Sequence, residues 1–173
     1  MVTQLTVYKD IIPGYRIRPI LEAEKTTKVS TEVKQLRNFE ETILSNYKAF
    51  IASLVTTIKS ARIHEQKAPL SLIAVNCAAG LLTAVPHFNY RTDLLKIVVQ
   101  QLSRRTADEA FVKCRDAMET LFREDEEGRA ALEAVTMISQ MVKKRHFKVH
   151  PSVPFHIDIT NTRLFKVCYT YVY

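Results

Sequence analysis

Between Pro19 and Pro69 the chain runs without a proline or a glycine, and apolar residues recur through it at steps of three and four: Val29, Val33, Leu36, Phe39, Ile43, Tyr47, Phe50, Leu54 and Ile58. The mean step is close to the ~3.6 residues per turn of an α-helix. A helix over residues 30–63 is predicted, roughly 50 Å long at ~1.5 Å per residue. Such a rod serves as a strut for shorter helices. A coiled coil is the alternative, but the spacing is not a sustained heptad. Leu36 and Phe39 fall on the face expected to be buried, where an aspartate would place an unpaired carboxylate in apolar surroundings and unseat the helix.

Four shorter helices are predicted after Pro69. The first carries Leu70, Ile73, Ala74, Cys77, Leu81, Leu82 and Val85, with small residues Ala78, Ala79 and Gly80 that permit close approach of a neighbour. It should be the most buried. Asn89 is placed to cap the second, whose stripe is Leu94, Leu95, Val98, Val99 and Leu102. Ser103-Arg104-Arg105 closes it with positive charge at the negative helix end. The third starts at Thr106 or Asp108 and carries Ala110, Phe111, Cys114, Ala117, Met118, Leu121 and Phe122. An acidic turn ending at Gly128 breaks it. The fourth carries Ala131, Leu132, Val135, Ile138, Met141 and Val142 and ends in Lys143-Lys144-Arg145.

These make two helix pairs, 70–88 with 91–104 and 107–123 with 128–144, whose starts lie 37 residues apart. The expected fold is all-α, a long helix packed on HEAT- or armadillo-like pairs, as in a fragment of an α-solenoid. An ordinary helical bundle is the alternative. The expected organisation is an extended arm over 1–19, the long helix within 20–68, the helical-repeat segment over 69–150 and a poorly ordered tail over 151–173. That tail alternates Phe155, Ile157 and Ile159 and ends in a Tyr- and Val-rich run, which is strand composition without a partner sheet. In the arm, Pro13 fixes one backbone angle, Gly14 permits a turn and Pro19 holds Arg18 away from helical geometry. Ile11, Ile12, Tyr15 and Ile17 are too apolar for a free linker, so the arm should lie against the helical body.

Pro13-Gly14-Tyr15-Arg16-Ile17-Arg18-Pro19, followed in order by Leu36-Arg37-Asn38-Phe39-Glu40, resembles the nucleolar complex-associated protein 3 family. The resemblance continues less distinctively through residues 75–99 and on to 148–151, and so covers residues 8–151. It implies a eukaryotic assembly factor of the large ribosomal subunit, located in the nucleus and nucleolus. It implies pairing with nucleolar complex-associated protein 2, and maturation and intranuclear transport of large-subunit precursor particles. It also implies a second role in loading replication proteins at chromatin. Family proteins extend well beyond this segment on both sides.

The charge pattern bears on a polyanionic partner. The net charge is +7, and it is uneven: residues 1–63 carry 10 basic and 6 acidic groups, 64–141 carry 9 and 11, and 142–173 carry 6 and 1. Basic ends suit rRNA or chromatin. Within them, Lys143, Lys144, Arg145 and Lys148 offer phosphate contacts, and Phe147 offers a face on which a base can stack. The alternative is that Phe147 packs inward and the cations complement the helix end. Arg16 and Arg18 are a second candidate pair, with a bidentate salt bridge onto the body as their alternative.

Catalysis needs convergent groups, and no such set is legible. Gly14, Gly80 and Gly128 cannot build a phosphate cradle. His146 and His150 stand four apart, with only His156 as a distant third ligand, so a solvated basic tail competes with metal binding there. Cys77 sits in an apolar helix with no adjacent base and reads as a structural thiol. Cys77, Cys114 and Cys168 are odd in number and far apart, which suits a reducing compartment rather than a disulfide framework. No run of about 20 apolar residues exists for a membrane span. The expectation is a non-enzymatic factor with no cofactor and no metal. A helical adaptor that binds only proteins is the competing class.

Overall fold

The computed structural model describes residues 1–18, 29–63, 66 and 68–153. All the secondary structure of any length among them is helical: α1 (Val2–Ile11), α2 (Thr31–Ile63), α3 (Ala68–Ala84), α4 (Arg91–Leu102), α5 (Glu109–Glu124) and α6 (Arg129–Lys144). No described helix is long and apolar enough to cross a membrane. The strand-like tail from Phe155 onward, with His156 and Cys168, lies outside the described residues.

The long helix begins where the sequence predicts. The Ser30 hydroxyl accepts from the Val33 N–H at 3.3 Å, and the helix then runs for 33 residues. Its apolar stripe divides in two. Ile43, Tyr47, Phe50, Leu54 and Ile58 are buried, whereas Val33, Leu36 and Phe39 are 40–50% exposed. Periodicity reported the face correctly but not how far the body reaches along it.

Helix α3 is the centre of the molecule. It packs against α1, α2, α4 and α5, and Ala74, Val75, Cys77, Ala78, Ala79, Leu81 and Leu82 are all buried. Its first turn differs: Leu70 and Ile73 are exposed. At Gly80 a Cβ would lie 3.5 Å from Leu5 of α1, so the small residues do admit a neighbour.

The amino-terminal segment corrects one expectation. The sequence predicts an extended arm over 1–19, but the extended stretch begins only at Ile12, because residues Val2–Ile11 form α1. No proline or glycine precedes Pro13, and Leu5, Tyr8 and Ile12 recur at helical spacing, so one helical face is apolar. Tyr8 and Ile12 are buried, and Tyr8 stacks on Phe50 and meets Tyr47 edge-on at centroid distances of 5.2 and 5.1 Å. Beyond Pro13 the chain is extended and anchored. The His87 Nε2–H donates to the Pro13 carbonyl at 3.0 Å, and the Tyr15 hydroxyl donates to Glu40 at 2.8 Å. Ile17, 4% exposed, is held by both ends of the Asn89 amide.

Asn89 is therefore not the cap of α4. That position belongs to Tyr90, which has a left-handed φ of 63° and no side-chain cap. Asp108 does cap α5: its carboxylate accepts from the Phe111 N–H at 2.9 Å. Asp125 closes α5 and also accepts from the Ala131 N–H of α6 at 2.7 Å. Between those helices Gly128 sits at φ +71°, a conformation that disfavours any Cβ.

The two hairpins, α3 with α4 and α5 with α6, stack in parallel register. The start of α3 (Ala68, Ser71, Leu72) adjoins the start of α5 (Glu109, Ala110). Glu133 of α6 accepts from Arg91 Nε at 2.8 Å and from the Thr92 hydroxyl at one end of α4. At the other end, Arg145 donates to the Ser103 hydroxyl at 3.2 Å. Residues 149–153 fold back on this body: Val153 is buried and His150 packs on Phe111 at 5.1 Å between ring centroids.

Candidate nucleic-acid interface

Helices α4 and α6 both end in basic residues, and parallel stacking sets those ends side by side. Ser103, Arg104 and Arg105 after α4 face Lys144, Arg145, His146 and Lys148 after α6 across an open cleft of about 900 Å³. No carboxylate lines it among the described residues. A shallower groove continues from it between the two helices, past Gln100 and Gln140 to Lys96.

Two of the cleft cations are pinned. Arg104 pairs with Asp108, the same residue that caps α5, and Arg145 is held by Ser103. Arg105, Lys144 and Lys148 are exposed and carry no ion pair among the described residues. The carboxyl ends of α4 and α6 absorb part of this charge. Two helix ends amount to about −1 and Asp108 adds one more, so five formal cations leave an excess of about +3. Dipole complementation thus accounts for some of the basic residues and not for the cluster. A site of this sign with water access attracts a polyphosphate backbone.

The cleft rim has an unusual backbone. Helix α6 ends in a Schellman motif: the His146 N–H donates to the Lys143 carbonyl at 2.9 Å and the Phe147 N–H to Val142 at 3.0 Å. The left-handed position is normally glycine, yet here it is His146 at φ 51°, and Phe147 follows at φ 60°. Each such residue costs on the order of 1–2 kcal/mol. The apolar residue at the Phe147 position usually packs back on the last helical turn. Phe147 instead stands 75% exposed.

The sequence-predicted residues separate into two groups. Lys144, Arg145 and Lys148 line the cleft, whereas Lys143 and Phe147 each stand next in sequence to lining residues and outside the lining themselves. Arg16 and Arg18 are exposed on the arm, which is clamped at Asn89 before α4 begins. The cleft lies past the other end of α4, roughly 18 Å away for 12 residues at ~1.5 Å each, so the structure does not bring the arm arginines into it. Arg104 and Arg105 are the contributors missing from the sequence prediction. Their signal was a basic doublet at the end of the equivalent helix of the preceding pair.

His146 and His150 do not share a helical face, because α6 ends at Lys144; His150 Nδ1 lies 2.8 Å from the Ser152 hydroxyl. No group of three metal-binding side chains occurs among the described residues. Cys114 is buried and its thiol is pushed up to about 12 by burial; burial also raises Cys77. Neither is poised as a nucleophile.

Comparison with known proteins gives the chain its relatives. A family model described as Nucleolar complex-associated protein matches residues 1–50, which include α1, the arm and the first part of α2 through Phe50. Nucleolar complex-associated protein 3 of Schizosaccharomyces pombe is 37% identical over 155 residues, 88% of this chain and 21% of the relative. Nucleolar complex-associated protein 3 of Arabidopsis thaliana is 38% identical over 155 residues, 88% of this chain and 18% of the relative. The Nucleolar complex protein 3 homolog of Danio rerio is 37% identical over 163 residues, with 88% and 20% covered. Over 88% of its length, the chain is similar to proteins of the nucleolar complex-associated protein 3 family. It spans about a fifth of the length of the curated relatives it matches. Those relatives are named as nucleolar and as parts of a complex, which supports a nuclear and nucleolar location for the chain.

Proposed function

We propose that this segment serves a non-enzymatic assembly factor of the large ribosomal subunit by holding phosphates of precursor rRNA in the α4–α6 basic cleft. The observation that carries this reading is the convergence of Arg104 and Arg105 with Lys144, Arg145 and Lys148, without an acidic residue in the lining among the described residues. On this reading the two stacked hairpins are HEAT-like repeats of a longer α-solenoid. Parallel stacking of equivalent helices, at starts 41 residues apart for α3 and α5, supports it.

Protein partners take a different surface. The stripe of Val33, Leu36 and Phe39 outruns the body that buries the rest of α2. We assign it to the partner, nucleolar complex-associated protein 2, within large-subunit precursor particles, where burial of an apolar helix face gives affinity.

The test is affinity purification of the tagged chain from nuclear extract, beside a variant with Arg105→Gln, Lys144→Gln and Lys148→Gln. Recovery of large-subunit precursor rRNA by the parent chain, reduced in the variant with helicity unchanged, is the expected result. Replication proteins recovered with DNA and without rRNA would move the cleft to a chromatin role. Equal rRNA recovery by both chains would remove the cleft from the function and leave a protein-only adaptor.

A further inference from the structure

Phe147 bears on which kind of RNA the proposed cleft takes. A cluster of cations alone does not discriminate, since single strands and duplexes both present phosphates. The end of α6 adds an aromatic ring that the fold does not use. His146 and Phe147 both occupy left-handed backbone, the Schellman hydrogen bonds hold them there, and the ring is 75% exposed instead of packing on Val142. Strained backbone that turns an apolar side chain into water calls for a use of that side chain. Phe147 lies in sequence between His146 and Lys148, which both line the cation cleft, so its exposed ring stands one residue from groups that would hold a ligand there.

We infer that the cleft takes unpaired RNA, with one base stacked on Phe147 while flanking phosphates lie against Arg105, Lys144 and Lys148. This rests on the cleft being the RNA site proposed above and adds the class of RNA. Duplex bases are stacked on each other and offer no free face, whereas an unpaired base does. Three cations without ion pairs among the described residues match a short single strand of a few nucleotides.

The chain contains no tryptophan, so Phe147→Trp creates a single fluorescent reporter at the site. Binding of a 12-nucleotide unstructured RNA and of a 12-base-pair RNA duplex is measured for the parent chain, Phe147→Ala, Phe147→Trp and the Arg105→Gln, Lys144→Gln, Lys148→Gln variant. A base stacked on an aromatic ring is worth about 1–3 kcal/mol, which converts to roughly 5- to 150-fold in affinity. Phe147→Ala should therefore weaken single-strand binding at least about fivefold and leave duplex binding unchanged. Phe147→Trp should retain single-strand binding, with its fluorescence quenched by the single strand and not by the duplex. Equal single-strand affinity of the parent and Phe147→Ala, with the charge variant still weakened, would overturn the stacking inference alone. Unchanged affinity in the charge variant would overturn the cleft itself. The Phe147 ring stands outside the core, so its variants should keep the parent fold, which circular dichroism checks.

Discussion

The Asn89 side chain binds Ile17 at both ends of its peptide group: Oδ1 accepts from the Ile17 N–H at 3.0 Å and Nδ2 donates to the Ile17 carbonyl at 2.8 Å. This pair imitates one rung of a β-ladder across 72 residues of sequence, and it satisfies a buried stretch of backbone that no helix serves. Asn89→Ala would leave both Ile17 groups without a protein partner. A loss of about 1–3 kcal/mol is expected. In thermal melting this appears as a drop of roughly 2–12 °C for a chain of this size. Hydrogen exchange at Ile17 should speed up in the same variant. An unchanged melting temperature would mean that water replaces the amide at no cost.

Tyr47 makes a contrasting prediction. Its ring is fully buried between Tyr8 and Phe88, yet its hydroxyl has no hydrogen-bond partner among the described residues. Tyr47→Phe removes a buried polar group that nothing satisfies and keeps the packing. Stability should stay equal or rise by up to about 1 kcal/mol. Tyr47→Ala should cost about 3–5 kcal/mol through the cavity it leaves. Chemical denaturation of the two variants beside the parent measures both.

Leu36→Asp and Phe39→Asp should leave the fold within about 0.5 kcal/mol, since both positions are half exposed. The same change at Ile43, one turn further along the stripe and 4% exposed, should unfold or severely destabilise the chain. Thermal melts of the three variants place the border of the body on α2. Loss of the protein partner in Leu36→Asp, with normal melting, would assign the exposed stripe to that partner.

Alkaline pH should destabilise the chain through two buried groups. Burial raises the Cys114 thiol from 9.0 to about 12 and raises the Tyr47 phenol above its usual 10.0. Both are uncharged when folded, and the unfolded chain loses those protons first. Their stabilising contribution is complete below the unfolded values and falls as pH climbs toward the folded ones. Melting temperature should therefore decline between about pH 9 and 12. Tyr47→Phe should flatten the decline above pH 10. Peptide mapping after iodoacetamide treatment at neutral pH should find Cys114 unmodified in the folded chain and modified in denaturant.

At Gly80 a Cβ would meet Leu5 at ordinary contact distances of 3.5 and 3.7 Å. Gly80→Ala should thus keep the seat of α1 and gain up to about 1 kcal/mol of helix propensity. A fall in stability, read by urea titration, would show that the α1–α3 contact is tighter than these distances.

Local chemistry was enough to read the helices after the arm, though not α1, which the sequence predicts as part of an extended arm. Period 3.6, the prolines at 19 and 69, the Asp108 cap and the acidic turn at Gly128 act within a few residues of themselves, so α2 through α6 were legible in the sequence. So were the cysteines of the core and the basic end of α6. Tertiary structure decided everything that depends on what lies opposite. It buried Ile43 and exposed Leu36 on one continuous stripe, because the body ends between them. It took Asn89 from helix capping to the arm, because a side-chain amide serves whichever backbone group reaches it. It joined Arg104 and Arg105 to Lys144 and Lys148, because parallel stacking aligns helix ends some 40 residues apart in sequence. It also left Arg16 and Arg18 a helix length away. Sequence fixes charge and periodicity along the chain, while the cleft is a property of distances across it.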